Sequence, residues 1–294
     1  QIEQSINQSL TTHHITETVI MLLPKYEEQQ VYSGITHSHS DIDFTNFEVA
    51  AESTTTMRNE KEQHVWLIRY GKTAPGLIEN VGNYDSDLHS DGVVHAEAIA
   101  QHIAAGGNLP DHVFADPFLR CTHTADTMVS HFNRLTNRGM KVKVEEGLTE
   151  WQVPSLLVDP EGMRTDPRTL DELVDIFDNL DESYECVNPR GPDRGTETEE
   201  ASSGSPRFPE TEDQLHERCK TSIDKILEVI DKDSVAIVSH APCLQHLALA
   251  LDGSQSPGAS ALGAWSLGGI TYFSRLPGES KWTLRSYSST SHMP

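Results

Sequence analysis

The chain is expected to be an α/β protein, a three-layer sandwich whose mostly parallel central sheet carries helices on both faces. Two observations predict this. Apolar runs of strand length alternate with longer stretches whose apolar residues recur at helical spacing, the pattern of a sheet covered on both sides. The run Val235–Val238 is apolar throughout, as a fully buried strand is.

The elements follow in order. His64–Ile68 reads as a short apolar strand ending in the polar, glycine-containing turn Arg69-Tyr70-Gly71-Lys72-Thr73, which Lys72 and Thr73 shape. Asp91–Ala105 reads as a helix with Ser90 as its N-cap and Gly106-Gly107 as its stop. His112–Ala115 is a strand, Arg120–Arg138 a helix and Lys141–Glu145 another strand. Thr169–Leu180 has helical spacing, with Leu170, Leu173, Ile176, Phe177 and Leu180 on one stripe. Residues 185–209 hold four prolines and three glycines and are expected to form a flexible loop. Glu212–Ile230 returns to a helix facing inward through Leu215, Cys219, Ile223, Ile226, Leu227 and Ile230. The strand Val235–Val238 precedes a helix at Leu244–Leu251, and Ala264–Arg275 and Trp282–Tyr287 close the sheet.

At 294 residues with 36% apolar composition, the chain can bury one large core. No apolar run approaches the roughly 20 residues that span a bilayer, so direct membrane insertion is not expected. The formal charge of −23 repels nucleic-acid phosphates and argues against that class of partner. Residues 1–62 carry ten acidic and three basic side chains, and 181–217 carry eleven and three, so the rest is mildly acidic and can hold a positive pocket. One α/β domain, 63–294, preceded by an acidic amino-terminal extension, 1–62, is expected. The extension offers apolar patches only at Ile15–Leu23 and Phe44–Ala51, which suit it to docking on a protein partner.

Cys121, Cys186, Cys219 and Cys243 show no metal spacing and are expected as free thiols in a reducing intracellular compartment. Gln1 in place of an initiator Met suggests a processed or truncated product, which leaves an organelle open as the destination. His13-His14 and His37-Ser38-His39 lack further ligands at zinc-like spacing, so neither metal nor cofactor is expected.

Five motifs, in order, carry a resemblance. Arg69-Tyr70-Gly71 resembles the Arg-His-Gly signature of the histidine phosphatase (phosphoglycerate mutase-like) superfamily, with Tyr where the family has its phospho-accepting His. Leu88-His89-Ser90-Asp91-Gly92, with Ala96, resembles its Leu-Thr-x-x-Gly-x-x-x-Ala opening of the first helix. Asp116-Pro117-Phe118-Leu119-Arg120-Cys121-Thr122-His123-Thr124-Ala125 resembles its Ser-Pro-x-x-Arg-x-x-x-Thr-Ala element. Gly147-Leu148-Thr149-Glu150-Trp151 resembles the eukaryotic Gly-Leu-x-Glu-Trp variant, and Ser239-His240-Ala241 the turn that supplies a second His.

The resemblance implies that Arg69, Arg120 and His240 form a phosphate-binding set and that Glu150 is the acid/base. Forked guanidinium donors suit a phosphoryl group. Tyr70 falls at the nucleophile position, where a phenol titrating near 10 attacks less readily than imidazole and leaves less readily once phosphorylated. The expected function is a phospho-ligand-binding or structural subunit of a larger assembly with impaired catalysis. The ligand expected is a phosphate-type anion or phosphorylated small molecule. The alternative is an active phosphatase on small monoesters that uses Tyr70, His89, His123 or directly activated water.

Overall fold

The computed structural model describes residues 61–74, 85–158, 166–190, 204–253 and 264–294. The extension expected at 1–62, apart from Lys61 and Glu62, and the paired histidines within it lie outside the described residues, as do 191–203 of the expected loop.

Strand β1 (Gln63–Arg69) sends Val65 and Leu67 to one face and Trp66 and Ile68 to the other, and all four are buried. A strand with two buried faces belongs in the middle of a sheet. It pairs parallel with β4 (Val235–Ser239) and antiparallel with β5 (Ile270–Arg275). Beyond β4 lie β2 (His112–Ala115) and β3 (Val142–Val144), both parallel, and beyond β5 lies the antiparallel β6 (Thr283–Ser289). The order is β3-β2-β4-β1-β5-β6.

Helices α1 (Ser90–Ala105) and α2 (Leu119–Thr136) cover the face bearing Trp66 and Ile68. Two short helices follow, α3 (Pro154–Leu157) and α4 (Leu170–Val174). Helices α5 (Glu212–Ile230) and α6 (Ala241–Asp252) cover the Val65 and Leu67 face. The sandwich expected from the alternation is therefore present. Helix α5 has the expected bounds because Thr211 and Gln214 form a reciprocal capping box and five of the six expected inward residues are buried, with Leu227 partly so. Among the described residues no helix is long and apolar enough to cross a membrane.

Three local expectations need correction. His89, not Ser90, caps α1, its Nδ1 accepting from Asp91 N at 3.2 Å. The helix expected at 169–180 ends at Val174. Asp126 of α2 accepts from both Asn179 N and Asn179 Nδ2 at 3.0 Å, and Val142 N donates to Asn179 O, which draws the chain out of helix and onto the sheet edge. Leu173, Phe177 and Leu180 stay buried, whereas Ile176 is exposed. The strand expected from Ala264 begins only at Ile270.

Between α5 and α6, His216 and His246 meet with Nδ1 atoms 3.3 Å apart. Burial, and then His216 and Arg218, push the His246 imidazole down to about 4. The unfolded chain thus takes up this proton near 6.5 and the folded chain only near 4. The stability is present above pH 6.5 and is lost as pH falls towards 4, by on the order of 3 kcal/mol. Thermal unfolding of wild type and His246→Leu across that window should diverge, wild type falling more steeply; parallel profiles would show that the ring is not held neutral.

Candidate active site

The carboxyl ends of three parallel strands converge, as the ligand rim of such sheets does. Arg69 ends β1 and Tyr70 follows it, Asp116 follows β2, and His240 follows β4 as the N-cap of α6. Arg120 and Cys121 stand in the first turn of α2, and Glu150 follows a 3-10 turn, Glu146–Leu148.

The turn after β1 is seated by a glycine contact. A Cβ on Gly92 would lie 2.0 Å from Lys72 O, and one on Gly71 would lie 2.5 Å from Gly92 O, so only glycine at both positions lets α1 start against this turn. His89 N donates to Lys72 O, Gly71 N donates to Thr124 Oγ1, and the Lys72 ammonium pairs with Asp91. The Glu150 segment is held from the other face. Ser239 Oγ donates to Leu148 O at 2.6 Å, and the buried Arg218 donates to Gly147 O at 2.8 Å and Thr149 O at 3.0 Å.

His240 is fully buried and gripped at both ring nitrogens. Nδ1 lies 2.8 Å from Glu150 Oε2 and Nε2 lies 3.2 Å from Asp116 Oδ1. Burial opposes a charge on this ring, but Cys121, Glu150 and Asp116 outweigh it and hold its pKa well above the ordinary value. Burial pushes the Cys121 thiol itself up to about 11, so at neutral pH the two carboxylates carry that effect. With a carboxylate at each nitrogen, the ring is an imidazolium that donates twice. Glu150 is also buried, yet His240 and then Arg120 hold its carboxyl below the usual range, so at rest it is an acceptor and gives up a proton only after first taking one.

The Tyr70 ring fills the space among the cations. Its centroid is 5.0 Å from the Arg120 guanidinium and 5.5 Å from that of Arg69, and it meets His240 edge-on at 5.2 Å. These are cation–π distances. Arg69 is also committed to the carbonyl of Trp265, and Arg120 packs over Phe118 at 4.8 Å.

Arg69, Tyr70, Arg120, Glu150 and His240, singled out from the sequence, are thus brought together. His89 is occupied as a helix cap, and His123 pairs with Asp87 at 2.6 Å and packs on Phe177. Asp116 is the member that the sequence reading passed over. It is fully buried, accepts from Phe118 N at 2.6 Å and retains a second oxygen, Oδ2, without a hydrogen-bond partner among the described residues. The signal was present: Asp116 precedes Pro117 where the matching motif has Ser.

With this geometry in view, the comparison with known proteins is specific. Residues 65–289 match the histidine phosphatase superfamily (branch 1), and the chain belongs to that superfamily. It is 30% identical over 171 residues to an ecdysteroid-phosphate phosphatase of Drosophila melanogaster, spanning 58% of this chain and 20% of that protein. It is 26% identical over 181 residues to the mouse ubiquitin-associated and SH3 domain-containing protein A, spanning 60% and 26%. The chain therefore spans about a fifth to a quarter of the length of these relatives. Among solved structures, the Bombyx mori ecdysone phosphate phosphatase in complex with tungstate is similar in fold, with a TM-score of 0.57 and 20% identity, over 76% of this chain and 92% of that one.

Proposed function

We propose that this protein recognises a phosphate-type group on a small molecule without efficient turnover, Tyr70 occupying the place of the superfamily's nucleophilic His. The observation that carries the proposal is the Tyr70 ring within cation–π distance of both the Arg69 and the Arg120 guanidinium and edge-on against His240. The imidazole that meets the ring, His240, is committed to Glu150 and Asp116. A phenolate attack would leave a phosphotyrosine ester whose breakdown is slow for want of a good leaving group. Support for a phosphate-type ligand comes from the paired guanidinia and from the tungstate that the Bombyx mori relative holds. Use of residues 1–62 as a docking element for a protein partner is a separate part of the proposal and rests on their composition.

An active phosphatase is the second reading, favoured by the retained Glu150, Arg120 and His240 and by the Drosophila relative's name. Two measurements decide. Calorimetric titration with tungstate should show binding that weakens at least about tenfold in Arg120→Ala and tightens in Tyr70→Ala, where the ring no longer fills the space. Hydrolysis of p-nitrophenyl phosphate should be slow. Ordinary enzyme rates in the unaltered chain would overturn the non-catalytic reading, Tyr70→Phe then telling whether Tyr70 is the nucleophile, and absence of tungstate binding in both wild type and Tyr70→Ala would overturn the phosphate reading.

A further inference from the structure

We infer that Asp116, Cys121 and His240 form a binding site for a single zinc-type divalent metal ion beside the carboxyl ends of β2 and β4. Three donors of three classes, a carboxylate oxygen, a sulfur and an imidazole nitrogen, lie within 4.8 Å of one another, and all three residues are fully buried. His240 Nε2 is 3.2 Å from Asp116 Oδ1 and 3.4 Å from Cys121 Sγ. Bonds of about 2.0 Å to nitrogen and oxygen and 2.3 Å to sulfur place tetrahedral donors about 3.3–3.6 Å apart, close to these separations.

A proton shared between His240 and Asp116 accounts for one carboxylate oxygen only. It gives the Cys121 sulfur no strong role, and Asp116 keeps a second buried oxygen, Oδ2, with no hydrogen-bond partner among the described residues. A metal ion uses all three groups. It displaces the proton from Nε2 and the proton from Sγ, and the resulting thiolate and carboxylate neutralise a dication in the buried site. Glu150, 2.8 Å from Nδ1, then stands where a carboxylate accepts the second ring proton of a metal-bound histidine, which fixes the tautomer and aims Nε2. The ligands come from the end of β2, the first turn of α2 and the end of β4, so no local Cys or His spacing announces them.

The inference is independent of phosphate binding, because its readout is spectroscopic. The full chain, stripped with chelator, is titrated with cobalt(II) and then challenged with zinc. The expected result is a saturable tetrahedral cobalt spectrum with a thiolate charge-transfer band at about one equivalent, displaced by zinc. Cys121→Ser should lose that band, and Cys186→Ser should keep it. Glu150→Gln leaves the three ligands in place, so it should keep the band while weakening affinity about 10-fold or more, and far-UV circular dichroism reports whether each variant is folded. A folded wild-type chain that shows no charge-transfer band, or a band that survives in folded Cys121→Ser, would overturn the site.

Discussion

Hydrolysis of p-nitrophenyl phosphate by Tyr70→His/Asp116→Ser should exceed that of the unaltered chain by at least about 100-fold, whereas Tyr70→His alone should gain less than about tenfold. The argument begins at Tyr70. An imidazole there supplies a neutral nitrogen at pH 7 and a leaving group that departs when water attacks. It also vacates part of the space that the phenol ring takes beside Arg69 and Arg120. The single change leaves a second obstacle in place. In the metal-free protein Asp116 places a buried negative charge 3.2 Å from His240 Nε2, where it competes with a phosphoryl group for that donor and repels the incoming anion. Serine, the residue that the matching motif carries there, removes the charge and keeps a small polar group. Steady-state kinetics of the four proteins in this cycle measure the coupling between the two positions. A full gain from Tyr70→His alone would show that Asp116 is no obstacle, and no gain in the double variant would show that the site is not latent.

Much of this arrangement was legible in the sequence because its determinants are local. The buried strand ends at β1 and β4 are uninterrupted apolar runs, and α5 announces itself by Thr211, Gln214 and five inward residues at helical spacing. Arg69, Tyr70, Arg120, Glu150 and His240 each sit in a short motif whose order along the chain places them on one rim. What was illegible depends on partners far away in sequence. Residues 175–180 carry the apolar stripe of a helix, but Asp126 competes for the Asn179 amide from 53 residues away and wins. Asp116 looked like a turn residue before a proline until the structure put His240 beside it, 124 residues on. Pairings of that range are set by the strand order β2-β4-β1, which periodicity does not reveal.

Arg218→Met should lower the unfolding free energy by about 3–5 kcal/mol, the cost of stranding one member of a buried ion pair. Arg218 on α5 and Glu210 are both almost fully buried and meet through two bonds, Nε to Oε1 at 2.7 Å and Nη2 to Oε2 at 2.8 Å. The guanidinium also donates to Gly147 O and Thr149 O, so its removal leaves Gly147 O with Ser222 Oγ alone and takes the donor from Thr149 O, on the segment that carries Glu150. Two effects can then be separated. In Arg218→Met/Glu210→Leu the stranded carboxylate is gone, which should restore roughly half of the lost stability, while Thr149 O and Gln152 N, each without its former partner, keep the rest lost. Urea unfolding at pH 7 measures both, and a cost below about 1 kcal/mol for the single change would mean that water or a rearranged partner reaches Glu210. The same loosening frees the Glu150 carboxylate from its 2.8 Å contact with His240 Nδ1. Placed in the Tyr70→His/Asp116→Ser background, Arg218→Met should therefore lower kcat well below that of the revived protein even at temperatures where both are folded. An unchanged kcat there would confine Arg218 to stability and leave Glu150 to be positioned by Ser239 through Leu148 and by its own bond to Trp151 N.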